Sequence, residues 1–443
     1  MARILSVIVL IGVFLIQNPV LRADDWPQWL GPNRDSTWKE TGIAEEFPAE
    51  GLPVKWRVPV SMGYSGPAVA NGLVYLTDYV RESGEAANDP VTRRELSGKE
   101  RVLCLDAATG TKVWEHSYDR AYKISYPSGP RATPTVDKDR VYTLGAEGDL
   151  RCFEARQGAV LWSKDLRKEY HVESPLWGFS AAPLVHGDLL YCIVGGEGSV
   201  VVAFDKNNGQ ERWKALTASE PGYCAPSIIE AGGVQQLIIW HAEAINGLNP
   251  KTGALYWTVP LKPDYSMSIM VPRKHGDFLF ASGIGNVGAL LKLDKDKPAA
   301  DVVWRGKNNT ALYAANMTPV IGADGIMYGA DCRGGQLRAV ELSTGNRLWE
   351  SFAPTTGTRR GTHGTVYIVK HEQRYFLFSE TGDLILARLS AKGYEEIGRF
   401  HVVDPTGECF GREVVWSHPA FANRCVFARN DKELVCVSLA KQE

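Results

Sequence analysis

The sequence predicts an all-β chain folded as an eight-bladed β-propeller of four-stranded antiparallel blades, and three observations carry that prediction. Tryptophan recurs at Trp114, Trp162, Trp213, Trp257, Trp304 and Trp349, at spacings of 48, 51, 44, 47 and 45 residues. A period in that range signals a repeated supersecondary unit. Five of these tryptophans stand four residues after the glycine of a polar turn: Asp106 to Gly110, Glu154 to Gly158, Asp205 to Gly209, Asn249 to Gly253 and Glu341 to Gly345. Upstream of each turn lie two short β-prone runs. Arg140 to Leu144 and Leu150 to Phe153, separated by Gly145 to Gly148, are an example and read as a hairpin.

The elements of one unit follow in order. A short run comes after a proline at Pro67, Pro134, Pro183, Pro226, Pro272, Pro319 and Pro419, and a strand tolerates proline at its first residue. That run is strand A, the hairpin is B and C, and the Asp-x-x-Thr-Gly turn joins C to a strand D that carries the tryptophan. With Gly364-Thr365 as a degenerate head the count is eight; seven is the fallback. The eighth unit stops after strand C at Leu434 to Leu439. Val54 to Val58, around Trp56, supplies its strand D from the other end of the chain and leaves the ring without an open edge.

Two units are degenerate. Unit five lacks Thr-Gly but keeps Ala300 four residues before Trp304, and unit seven has Gly393 before Ile397. Trp56, Trp114, Trp162, Trp213, Trp257, Trp304 and Trp349 are therefore expected to be structural docking residues. Each would bury roughly 150–250 Å² over a small residue of the next blade. Asp106, Asp205 and their equivalents recur once per blade, whereas an active site needs a group once; they are expected to brace C–D turns.

Composition bounds the function. The chain has 443 residues, 44% hydrophobic, with 13 Trp, 17 Tyr and 14 Phe, enough to build a core. A formal charge of −2 argues against nucleic-acid binding, which needs clustered Lys and Arg. Residues 1–23 read as a signal peptide: Arg3, an apolar run from Ile4 to Ile16, and cleavage after Ala23. The run is short for a membrane span, so a mature chain without a span, periplasmic or extracellular, is expected; an uncleaved anchor is the alternative. Residues 24–53 form a leader expected to pack on the propeller, and 54–443 form one domain.

Cysteine and site residues come next. Cys104, Cys152 and Cys436 share a repeat column with Ala203, Gly247, Ala339 and Ala387 and read as small hydrophobes. Folding a hairpin about Asn430-Asp431 sets Cys425 opposite Cys436, a disulfide to test; Cys224, Cys332 and Cys409 fall in loops. A site is expected at one mouth of the central channel, built from residues before each strand A and from B–C hairpins. The first group offers Arg131, Trp177, Ser180, Tyr223, Asn316, His363, Trp416 and His418. The hairpins offer Glu197, His241, Glu243, Asn286, Asp331 and Arg333. Asp331 and Glu243 are the candidate catalytic groups, with His241 and Glu243 on one face if they lie in a strand. No second pair at metal-ligand spacing accompanies them, and no metal site is expected. A charged excursion from Asp78 to Glu100 reads as solvated or as a partner arm, and the segment 401–416 as a loop able to cap the channel.

The Ala/Cys-x-Asp-x-x-Thr-Gly-x-x-x-Trp repeats resemble the tryptophan-docking motifs of the PQQ-like β-propeller repeat family, over residues 54–439. Asp25-Trp26-Pro27-Gln28-Trp29-Leu30-Gly31-Pro32-Asn33-Arg34 resembles the leader of its secreted bacterial members. No Trp-Asp dipeptide supports a WD40 propeller. The resemblance implies either of two functions, because the family contains both quinone-dependent dehydrogenases and cofactor-free assembly propellers, the outer-membrane barrel assembly subunit among them. An enzyme of this kind implies a Ca²⁺-type ion under PQQ, Glu/Asn/Asp ligands, an Asp base and often a vicinal Cys-Cys pair, and the last is missing. There is also no Cys-x-x-Cys-His haem motif. The expectation is an exported, monomeric, non-catalytic binding or scaffold propeller with no cofactor, taking a cell-envelope protein or a small ligand at the mouth. A PQQ- and Ca²⁺-dependent dehydrogenase of alcohols or sugars, and a glycan-binding or glycan-processing propeller, are the alternatives.

Overall fold

Every predicted head is followed at once by a strand. In the computed structural model, which describes residues 24–442 apart from 286, 307–311, 313–318 and 332, strands start at Ala68, Thr135, Leu184, Ser227, Arg273, Val320, Val366 and Ala420. Each opens a run of four antiparallel strands, to which blade one adds a fifth, Tyr122–Ile124, and the eight sheets are the blades of a propeller. Blade two shows the pattern: Thr135–Asp137, Arg140–Leu144, Asp149–Glu154 and Val160–Asp165. In blade eight the strand Val54–Pro59 pairs with Glu433–Ser438, so the chain's two ends close the ring. The segment 1–23, Asn286, Asn316 and Cys332 lie outside the described residues.

The small-residue column has a physical cause. Trp56, Trp114, Trp162, Trp213, Trp257 and Trp349 face Cys436, Cys104, Cys152, Ala203, Gly247 and Ala339 across the C–D ladder, each beside a bulge. An indole lying over its cross-strand partner leaves little room there: a Cβ on Gly247 would come within 2.3 Å of Trp257. Most of these indoles then reach the next blade. Trp114 Nε1 donates to the Ala155 carbonyl at 2.8 Å, and Trp56, Trp162, Trp213, Trp304 and Trp349 donate to the equivalent turn carbonyl. Under the rings of Trp56, Trp114, Trp162 and Trp213 sits the turn glycine, so close that a Cβ on Gly158 would stand 2.5 Å from Trp114.

Trp257 departs from this docking role. Its Nε1 donates instead to Gln236 Oε1 in its own blade at 2.6 Å. The next blade is the one whose turn, Asp294-Lys295-Asp296-Lys297-Pro298, has no glycine to receive an indole. Blade seven, with Ile397 for tryptophan, is covered by the leader: Phe47 lies against Gly398 at 3.2 Å from a built Cβ.

The hairpin of blade eight corrects the cysteine pairing. Asn430 N–H donates to the Glu433 carbonyl, so the turn is centred one residue later than Asn430-Asp431. Cys425 therefore faces Ser438, and Cys436 faces Phe427. The two thiols are free and diagonal to one another; hydrogen bonding from Cys436 and the nearby Lys55 ammonium draw the Cys425 thiol below its usual range against its burial.

The leader crosses the channel on the face that carries the A–B turns. Trp26 pairs with Val69 of blade one, Pro27 accepts from Val136 N of blade two, and Ser36 and Trp38 pair with Lys370 of blade seven. At the centre Arg34 is buried and donates to the carbonyls of Ala182, Pro183 and Pro226, and to Gln28 Oε1. Arg273 reaches in from blade five to the Arg34 carbonyl at 2.6 Å, to Pro319 and to Ser36. Burial pulls the two guanidiniums down to about 9 and about 10, the second against the charge of Asp35. Their N–H groups stay satisfied by backbone oxygens, which is how a buried cation is tolerated here. Among the described residues no helix is long and apolar enough to cross a membrane.

Candidate binding cavity at the channel mouth

With one face closed by the leader, the channel becomes a cup open at the other. Its cavity holds about 370 Å³, within the roughly 300–1,000 Å³ of small-molecule sites. Trp29 of the leader forms part of its wall, fixed beside His418 with ring centroids 5.6 Å apart. The remaining lining comes chiefly from the connections that run from one blade's strand D to the next blade's strand A. Strand A is innermost, so the residues just before it necessarily ring the axis.

Of the residues singled out from sequence, Arg131, Trp177, Ser180, Tyr223, His363, Trp416 and His418 line this one cavity. They are held in pairs. Trp177 meets Tyr223 edge-on at 5.2 Å, Tyr126 meets Trp416 at 5.8 Å, and His363 stacks on Phe410 at 5.0 Å. Arg131 lies 5.2 Å over the Tyr64 ring and donates to the carbonyls of Gly129, Ser125 and Tyr126. Thr133 Oγ1 and His418 Nε2 stand 3.2 Å apart. Burial holds the His418 imidazole down at about 3; burial and the Arg412 charge hold His363 at about 4.

The hairpin residues go elsewhere. B–C hairpins spring one strand further from the axis, and the tight ones do not reach it. His241 and Glu243 fall in the turn between Val234–Trp240 and Ala244–Leu248, so strand alternation does not apply. Glu243 N–H donates to His241 Nδ1, while the exposed Glu243 carboxylate accepts from Ser219 N at 2.9 Å, which lowers its pKa. Asp331 is locked to Arg338 at 2.6 Å and accepts from Arg333 N. Its burial raises its pKa against that pairing. Arg333 and Glu197 are exposed. Neither candidate catalytic carboxylate is a lining residue.

Long excursions do reach the mouth. Leu73–Ser83 and Arg94–Asp106 extend blade one's hairpin until Pro90 and Val91 join the wall, and Pro90 accepts from Trp177 Nε1 at 3.0 Å. The segment 401–416 folds into a small hairpin, Gly407–Cys409 and Arg412–Val414, with Phe410 at its tip over the cavity. Asn88 ties the two excursions, accepting from Tyr64 and donating to Glu408 O at 2.9 Å. Sequence reasoning missed Trp29, Tyr64, Tyr126 and Tyr367. Tyr64 and Tyr126 do precede a strand A, and that position was the available signal.

Chemically, the cup is aromatic, and its described lining carries no acid. None of its described lining residues is Asp or Glu. Among the described residues, no group of three or more His, Cys, Asp or Glu is placed to hold a metal ion. A Ca²⁺ held under a quinone needs several oxygen ligands, and the described wall does not fit that requirement.

A family model described as "Outer membrane protein assembly factor BamB" matches residues 98–351 and, overlapping, 241–443. The chain belongs to this family of PQQ-like propellers. A relative named outer membrane protein assembly factor BamB, from Yersinia pestis, is 23% identical over 287 residues, covering 62% of this chain and 70% of the relative. The BamB structure from Moraxella catarrhalis superposes with a TM-score of 0.58 at 17% identity, over 88% of this chain and 99% of that one. A quinohemoprotein alcohol dehydrogenase from Comamonas testosteroni gives 0.58 at 12% identity, over 95% and 81%. At these identities the structural likenesses speak for the fold.

Proposed function

We infer that this chain is an exported, non-catalytic binding propeller of the cell envelope, monomeric and cofactor-free, whose working surface is the aromatic cup and its two excursions. The observation that carries the reading is the composition of that cup: indole, phenol and imidazole rings at the channel mouth, with no carboxylate among the described lining residues. Acid–base chemistry on alcohols or glycosides calls on such carboxylates. Kinship with proteins named as outer-membrane assembly factors supports a binding role and a location outside the cytoplasm.

Two measurements test it. N-terminal sequencing of protein recovered from the envelope fraction should begin at Asp24; a chain retaining residues 1–23 would contradict processed export. A dye-linked oxidation screen with alcohols and sugars, with PQQ and Ca²⁺ added, should show no turnover above a protein-free control. Saturable turnover would replace the binding reading with the dehydrogenase.

A further inference from the structure

Two hydrogen-bond donors in the cup have no acceptor. The Tyr223 side chain is 7% exposed; its hydroxyl faces the backbone N–H of Trp177 and finds nothing to take its own proton. Trp416 Nε1–H is likewise buried and unpartnered. A buried donor left so costs about 1–3 kcal/mol, and native structures leave few of them without a reason. A third wall indole, Trp177, is by contrast satisfied by the Pro90 carbonyl.

Charge points the same way. Arg131 donates to three carbonyls, which leaves two of its five N–H groups without a protein acceptor. Among the described residues it makes no ion pair. The imidazoles of His363 and His418 carry no charge at neutral pH and cannot compete for an anion. The cup thus offers flat apolar walls, spare donors and a guanidinium without an ion pair among the described residues; no acidic group is in its described lining, and the Glu147 and Glu220 carboxylates act on Arg131 and Tyr223 from behind it.

We propose that the cup binds a small aromatic monocarboxylate without a metal ion, its ring among the aromatic walls and its carboxylate taken by Tyr223, Trp416 and Arg131. The proposal rests on reading the cavity as a binding site and specifies what it takes. No bond is made or broken.

Calorimetry of the full mature chain with naphthoate, against its neutral isostere acetylnaphthalene, tests it. The expected result is saturable one-to-one binding of naphthoate and at least tenfold weaker binding of the ketone. Tyr223→Phe and Trp416→Phe keep the rings and remove one donor each; each should weaken naphthoate binding about tenfold, because bonds to charged groups are the stronger ones. Thermal melting of the same samples shows that both variants are folded. Absence of naphthoate binding up to about 1 mM, equal binding of the ketone, or unchanged affinity in both variants would overturn the proposal. None of these outcomes touches the non-catalytic reading, which falls only if quinone-dependent turnover is found.

Discussion

The two ends of the channel differ in how their central polar groups are met, although His371 Nδ1 at the closed end is also buried without a partner. At the closed end, Arg34 and Arg273 place guanidiniums in the middle of the ring, and backbone carbonyls from three blades, together with the leader, receive their N–H groups. At the open end, Tyr223 and Trp416 keep buried donors with nothing to receive them. Satisfied polar networks fix one geometry, while each unmet buried group calls for an explanation of its own. Under the proposed ligand binding, the difference separates a structural plug from the mouth that takes the ligand.

The comparison is broken most decisively at the closed end. Arg34→Ala should destabilise the protein by about 3–5 kcal/mol, since the carbonyls of Ala182, Pro183 and Pro226 lose their donor together. Denaturant melts read this directly, and a loss under about 1 kcal/mol would mean that the leader rests on the propeller without locking it.

A smaller effect is expected where the ends meet, at His418 beside Trp29. Burial holds its pKa at about 3, below the unfolded value of about 6.5. Below pH 6.5 the unfolded chain takes up a proton that the folded chain refuses. The stability is therefore whole above that pH and is lost as pH falls toward 3. Between pH 7.5 and 5 the loss should be about 1–2 kcal/mol for this imidazole, and His418→Gln should flatten the melting curve's pH dependence by that amount. An unaltered slope would remove His418 from the account.

At the open end the stability effects should be smallest. Tyr223→Phe deletes a proton without an acceptor together with the oxygen that faces Trp177 N–H, and Trp416→Phe deletes an unmet donor, so each should cost no more than about 1 kcal/mol. A loss of more than about 1 kcal/mol in either would show that these groups are part of the scaffold.

The same contrast explains what could be read from sequence. Repeated features were legible because each blade restates them: proline heads, turn glycines, the tryptophan column and the closing strand around Trp56. Their cause is local, an indole over a small cross-strand residue and a glycine of the next blade. Trp257 escaped that logic because its partner turn in blade five lost the glycine. The mouth was legible only where topology dictates it, in residues such as Arg131, Trp177 and Tyr223 that immediately precede an innermost strand. Trp29 and Arg34 were not, because the leader stands outside the repeat and its path across the channel is a tertiary matter. His241 and Glu243 misled because one turn began a residue earlier than alternation assumed, and Cys425 because another was centred one residue later.

The central claim is that the open mouth binds without quinone or metal. Calorimetric titration of the purified mature chain with PQQ, with and without Ca²⁺, tests it most directly. The account predicts no Ca²⁺-dependent heat at high protein concentration. Near-stoichiometric binding that appears only with Ca²⁺ would contradict it and assign the cup to cofactor chemistry.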